Sequence, residues 1–197
     1  MRRSWNDLKI GISGGACLMF AFFLLVLPLR WIFAAVTAAV VHEACHALAV
    51  HLCGGRLHTL TVEKGGVVMV ATPMTAVRGF LCTMAGPLGS ALMVLTMPWL
   101  PRVAFCSAVH CVYNLLPIYP LDGGRALRCI TEKLSPDRQR KICLVTENIC
   151  LGLLFGAAVY LTVWKELGLT PLVLAFLLLL RTKSANSPCN EGKLGLQ

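Results

Sequence analysis

Two histidines and a glutamate fall in one short run, His42-Glu43-Ala44-Cys45-His46. Residues four apart on a helix project from one face. Both imidazoles can therefore bind one zinc ion, and Glu43 can reach a water held by that ion. The run lies inside an apolar stretch, Ile32 to Cys53. In a soluble helix the same pattern often arises by chance. At membrane depth ionisable side chains are costly and mark functional sites. A catalytic zinc usually keeps three protein ligands and one open position, so a third donor is expected.

Few carboxylates lie near membrane depth. Asp7, Glu63, Glu132 and Asp137 fall in terminal, turn or basic segments, and Glu147 sits inside a later apolar run. Asp122 follows a run that travels toward the same side as His46, in Asn114-Leu-Leu-Pro-Ile-Tyr-Pro-Leu-Asp122-Gly-Gly-Arg125. Pro117 and Pro120 break the helix there, and non-helical backbone at membrane depth is tolerated where it lines a polar cavity. Gly123 and Gly124 remove side-chain bulk beside the carboxylate. Asp122 is thus the expected third ligand.

The elements that must position these groups are membrane helices. Of 197 residues, 57% are hydrophobic and 14% charged, with a net charge of +9. A soluble domain carries about a quarter charged residues. The composition excludes an ordinary cytosolic globule, a disordered chain and a nucleic-acid-binding domain. A crossing needs about 20 apolar residues. Six runs qualify or nearly so: Ile10–Leu29, Ile32–Cys53, Gly79–Leu100, Val103 to about Ile118, Ile142–Trp164 and the shorter Leu167–Leu180, which contains Pro171. The fold class read from this is an all-α polytopic membrane protein of about six transmembrane helices. The first run reads as an uncleaved helix, because no clear cleavage site follows it.

With six crossings, fifteen of the eighteen basic residues share one side, and only Arg30, Arg102 and Lys165 lie on the other. The positive-inside rule places the fifteen, and both termini, in the cytoplasm. Between the second and third runs, Arg56–Ala71 carries β-branched residues around Glu63-Lys64-Gly65-Gly66, which predicts a small membrane-associated β-hairpin. Its edge could accept an extended substrate or serve only as a connector. Gly86 and Gly89 are expected to allow close helix packing, and His110 to be a satisfied core histidine or to face the cavity. Ten cysteines form no CxxC pair, and most sit in apolar runs as small hydrophobes. Residues 1–181 read as one integral-membrane domain and 182–197 as a polar cytoplasmic tail.

The HExxH helix, the Asn114–Gly124 segment and Ala-Gly-Pro-Leu-Gly-Ser at 85–90 together resemble the site-2 protease family of intramembrane zinc metalloproteases. The spacing of Asn114, Pro117, Pro120 and Asp122 is most similar to the bacterial sporulation branch, the stage IV sporulation FB-like proteases. The resemblance covers about residues 30–130, the family's catalytic core. It implies one Zn2+ held by His42, His46 and Asp122, Glu43 as catalytic base, and substrate close to Asn114, Pro117 and Pro120. It implies a multi-pass protein of a bacterial cytoplasmic membrane, acting on membrane proteins or membrane-associated pro-proteins such as pro-sigma or anti-sigma factors. It leaves room for an inhibitory membrane partner. Ser90 stands where members often carry Asn, and the reading expects none of the CBS domain common in the sporulation branch.

Two other function classes fit a buried His/Asp cluster. One is a metal-ion transporter, but the ionisable groups gather at one level and no duplicated half is visible. The other is a non-catalytic membrane binding protein, which would have no need of Glu43.

Overall fold

The computed structural model describes residues 9–63, 66–72, 74–164, and 172, 173, 175, 176, 178, 179 and 182. Among these run three strands and six helices, in the order β1 (Lys9–Ile12), α1 (Gly14–Val26), α2 (Leu29–Leu52), β2 (Leu57–Glu63), β3 (Gly66–Ala71), α3 (Ala76–Val94), α4 (Pro101–Leu115), α5 (Asp122–Thr131) and α6 (Pro136–Trp164). Three helices, α2, α3 and α6, are long and apolar enough to cross a bilayer. At 1.5 Å per residue, the 13 residues of α1 and the 15 of α4 reach only about 20 Å and about 22 Å, short of a hydrocarbon core of about 30 Å. Most of the sixth run, Leu167–Leu180, lies outside the described residues. Length and composition thus support three of the six expected crossings.

The first apolar run does not start as a helix. Residues 9–12 form a strand that pairs in parallel with β2, from Lys9↔Thr59 to Ile12↔Val62. The Ser13 amide extends the ladder by donating to the Val62 carbonyl, and its hydroxyl caps α1 by accepting from the Ala16 amide at 3.2 Å. The reason is non-local: β2 offers a free row of backbone groups, and the polar backbone of residues 9–13 finds its partners there. Counting apolar residues along the chain cannot register that.

The hairpin forms where it was expected. β2 and β3 pair antiparallel from Leu57↔Ala71 to Glu63↔Gly66, with a register shift between Leu57 and Thr59. The tip, Lys64-Gly65, lies outside the described residues. The sheet order is β1-β2-β3, so β2 is central and β3 is an outer strand. α2 leads into the sheet by a sharp stop at Gly54, whose φ of 80° is the left-handed geometry typical of a residue just past a helix end. The Gly55 amide closes that turn on the Val50 carbonyl at 2.9 Å.

The described residues divide into two compact units between Val112 and Tyr113. In the first, the sheet is followed by α3, which packs along α2. Trp31 on α2 meets Phe105 on α4 edge to face, with ring centroids 6.0 Å apart. Cys111 on α4 donates its thiol proton to the Pro87 carbonyl of α3 at 3.3 Å. In the second unit, α5 packs on α6. The fully buried Ile118, with Leu121 and Leu178, forms a core joined by Tyr113, Leu116, Cys150, Leu151 and Leu154. Large apolar side chains point outward from several helices, among them Leu25, Phe33, Leu92 and Leu153. Apolar surface on that scale marks a membrane-facing exterior.

Candidate metal centre

The first unit brings the two predicted histidines together. His42 and His46 lie one turn apart on α2, and their Nε2 atoms face each other at 3.1 Å. His42 is only 2% exposed. His46 lies six residues before the end of α2, about 9 Å along the axis. Glu43 is half-buried between them in sequence.

Helix α3 holds both rings from behind. His46 Nδ1 lies 2.8 Å from the Cys82 carbonyl oxygen. A carbonyl only accepts, so Nδ1 carries the proton and the neutral ring presents Nε2 as a lone pair. His42 Nδ1 lies 2.9 Å from the Ser90 hydroxyl, and both groups are buried. Between these two contacts sits Gly86. A Cβ there would lie 2.7 Å from His42 Nε2 and against the imidazole of His46. Gly89 likewise sits against Cys45, where a Cβ would meet the Cys45 Cβ at 2.9 Å. The expectation that these glycines allow close packing understated Gly86, which faces the two nitrogens themselves.

His110 is not simply a core residue. Its ring stands edge-on to His42, with centroids 4.5 Å apart and an interplanar angle of 79°. Elements α2, α3 and α4 therefore all contribute side chains around the His42 ring.

In the second unit Asp122 opens α5, and it is 7% exposed. A carboxylate in the first turn of a helix is favoured by the helix dipole. The segment before it is non-helical yet buried: Ile118 is fully enclosed and Tyr119 and Leu121 nearly so. Its backbone is satisfied locally, the Ile118 amide donating to Leu116 O and the Leu121 amide to Ile118 O. Arg128 lies over the Tyr119 ring, 3.7 Å from its centroid, a cation–π contact that ties the segment to α5. The glycines after Asp122 act differently from expectation. A Cβ on Gly123 would strike the carbonyl oxygens of Leu115 and Leu116, and one on Gly124 would meet the Ile118 and Tyr119 backbone. They admit the preceding loop, and the room they make is for backbone rather than for the carboxylate.

Asn114 is half-buried near the end of α4, and Pro117 and Pro120 are half-buried in the loop. Elsewhere on α5, burial pushes the Cys129 thiol up, and the charge of Glu132 adds to the effect. Cys129 is therefore a neutral thiol near pH 7 and a poor nucleophile.

The donor chemistry fits a metal. Two imidazoles that share one approach, held by hydrogen bonds through their far nitrogens, are the arrangement that metal-ligating histidines adopt. Imidazole nitrogens are ligands suited to zinc. Sequence reasoning named Gly86 for helix packing and Ser90 as the end of the 85–90 motif, but placed neither of them, nor Cys82, against the imidazoles. A signal was there: they recur at i, i+4 and i+8 and so form one stripe on α3.

A family model described as Peptidase M50B-like matches residues 15–120, more than half of the chain. The match spans α1 to α4 and stops two residues before Asp122. No curated protein matches the chain. Among solved structures, it is similar to the site-2 protease from Methanocaldococcus jannaschii, with a TM-score of 0.64 over 93% of each chain at 15% identity. At that identity the likeness is one of fold.

Proposed function

The chain belongs to the site-2 protease family of membrane metalloproteases, and from that premise we propose that it is an intramembrane zinc endopeptidase. In this reading His42, His46 and Asp122 hold one Zn2+, and Glu43 is the general base. The observation that carries it is the pair of imidazole Nε2 atoms 3.1 Å apart, each ring anchored from α3 through its other nitrogen.

When bound, zinc would act as a Lewis acid toward the scissile carbonyl and bring a coordinated water's pKa toward neutrality. The protein's own groups do the rest. Glu43 takes a proton from the attacking water at its carboxylate and delivers it to the leaving amine nitrogen. The Asn114 amide donates to the oxygen on which negative charge develops. Pro117 and Pro120 keep the adjoining backbone out of helix, so that substrate can lie beside it. β3 is an outer strand of the sheet, and its edge, unpaired among the described residues, can accept an unwound substrate segment as an added strand. The substrate class is thus a membrane protein or membrane-associated pro-protein whose helix unwinds to expose a peptide carbonyl.

The finer topology belongs to the same proposal: six crossings in one integral-membrane domain, residues 1–181, with a cytoplasmic tail and both termini on the cytoplasmic side. The narrower reading, a sporulation-type enzyme processing a pro-sigma or anti-sigma factor, rests on the spacing of Asn114, Pro117, Pro120 and Asp122.

The test is co-expression with candidate single-span substrates. Wild type should cleave one of them. Glu43→Gln should lose at least about 10²-fold in rate, the scale of a general base, while purified protein retains its zinc. A Glu43→Gln variant that cuts at the normal rate would overturn the assigned role.

A further inference from the structure

Deepening the zinc-site reading and resting on it, we propose that Ser90 is a positioning residue that selects the metal-binding tautomer of His42. The neighbouring ring needs no such selection. His46 Nδ1 faces the Cys82 carbonyl at 2.8 Å, which fixes its proton there and makes Nε2 the nitrogen that carries the lone pair. His42 Nδ1 faces a hydroxyl instead, at 2.9 Å, and a hydroxyl can either give or accept.

Two proton arrangements therefore satisfy the contact. In one, Ser90 donates to Nδ1, and His42 Nε2–H donates to His46 Nε2 across 3.1 Å. That arrangement spends both Nε2 atoms on each other. In the second, His42 Nδ1–H donates to Ser90, and two lone pairs face the same point. Only the second offers two nitrogens to one cation. With a cation held at both Nε2 atoms, the Ser90 oxygen would be the acceptor for His42 Nδ1–H that the second arrangement requires.

Position reinforces the choice. Ser90 is fully buried, so no water competes for His42 Nδ1 at that point. Cys82, Gly86 and Ser90 are spaced four apart on α3, antiparallel to His42 and His46 on α2. Contact from one end of the stripe holds one ring, contact from the other end holds its partner, and Gly86 leaves room for the nitrogens between. Metal-bound histidines ordinarily donate the other ring N–H to an oxygen, and loss of that oxygen typically costs 10–100-fold in metal affinity or activity.

The experiment uses the purified full chain in detergent, with zinc and then cobalt(II) titrated against a competing chelator. Wild type, Ser90→Ala, Ser90→Thr and Ser107→Ala are compared. Ser107 is the control, because it is equally buried and its hydroxyl has no hydrogen-bond partner among the described residues. Ser90→Ala should weaken zinc binding about 10- to 100-fold and change the cobalt ligand-field spectrum. Ser90→Thr, which keeps the hydroxyl, should restore both. Ser107→Ala should change neither. Wild-type affinity and spectrum in Ser90→Ala would overturn the proposal, as would Ser90→Thr behaving like Ser90→Ala. If wild type itself binds no zinc, the zinc-site reading falls and this inference falls with it. If wild type binds zinc and Ser90→Ala matches it, only the role of Ser90 is lost.

Discussion

Gly86 is where one methyl group should decide the fate of the proposed metal centre. Alanine is the better helix former by about 1 kcal/mol, so Gly86→Ala improves the local propensity of α3. The added Cβ would nonetheless enter the space of both imidazole Nε2 atoms. The expected outcome is loss of zinc binding in a chelator titration, while Gly152→Ala on α6, where a Cβ meets nothing within 4 Å, leaves zinc binding unchanged. Equal zinc affinity in both variants would show that α3 does not press on the site. Asp122 makes a second prediction at this scale. Asp122→Asn keeps the shape but removes the charge that a zinc ligand supplies, so zinc affinity and cleavage should fall together. Retained zinc with lost cleavage would instead place Asp122 outside the ligand set. The proposed ligands could be picked out by spacing: two histidines four apart, and a carboxylate after a proline-broken run. The groups behind them could not be, because the four-residue spacing of Cys82, Gly86 and Ser90 marks one face of a helix without saying which distant side chains that face meets.

At the scale of elements, the outer edge of β3 is the feature to probe. Successive residues of an outer strand point their backbone groups alternately toward the partner strand and toward the open edge. Proline substituted singly at Val67, Val68, Met69 and Val70 removes one N–H at a time. If substrate adds to this edge, the outward positions should raise KM about fivefold, as about 1 kcal/mol per lost hydrogen bond implies, with kcat and zinc binding preserved. A KM that is flat across all four would make the hairpin a connector. The hairpin could be read from its β-branched run and turn residues, since both signals are local. β1 could not, because its parallel partner lies some fifty residues away and its four residues look like the start of an apolar span. Nor was α5 foreseen as a helix: Asp122-Gly-Gly reads as a turn, and a first turn with two glycines is made tolerable by the loop backbone that packs over it.

For the molecule as a whole, the bilayer acts as the solvent that selects the fold. Three helices, α2, α3 and α6, meet the length and hydropathy of a span, and the basic residues crowd the loops assigned to one side. Orientation can be tested with single cysteines in a variant freed of its native ones. His58→Cys, exposed on β2, should react with an impermeant maleimide only when the cytoplasmic side is opened, and Trp99→Cys, exposed between α3 and α4, should react from outside. The reverse pattern would invert the proposed topology. By itself the sequence determined that this is a membrane chain carrying HExxH, since composition, apolar run length and four-residue spacing are properties of the chain read in order. Only the tertiary structure decided which atoms stand behind each imidazole, that Gly86 must lack a side chain, and that the first apolar run begins as a strand. Those outcomes depend on contacts between residues far apart in the chain, and linear order does not encode which distant backbone or side chain will come within hydrogen-bonding reach.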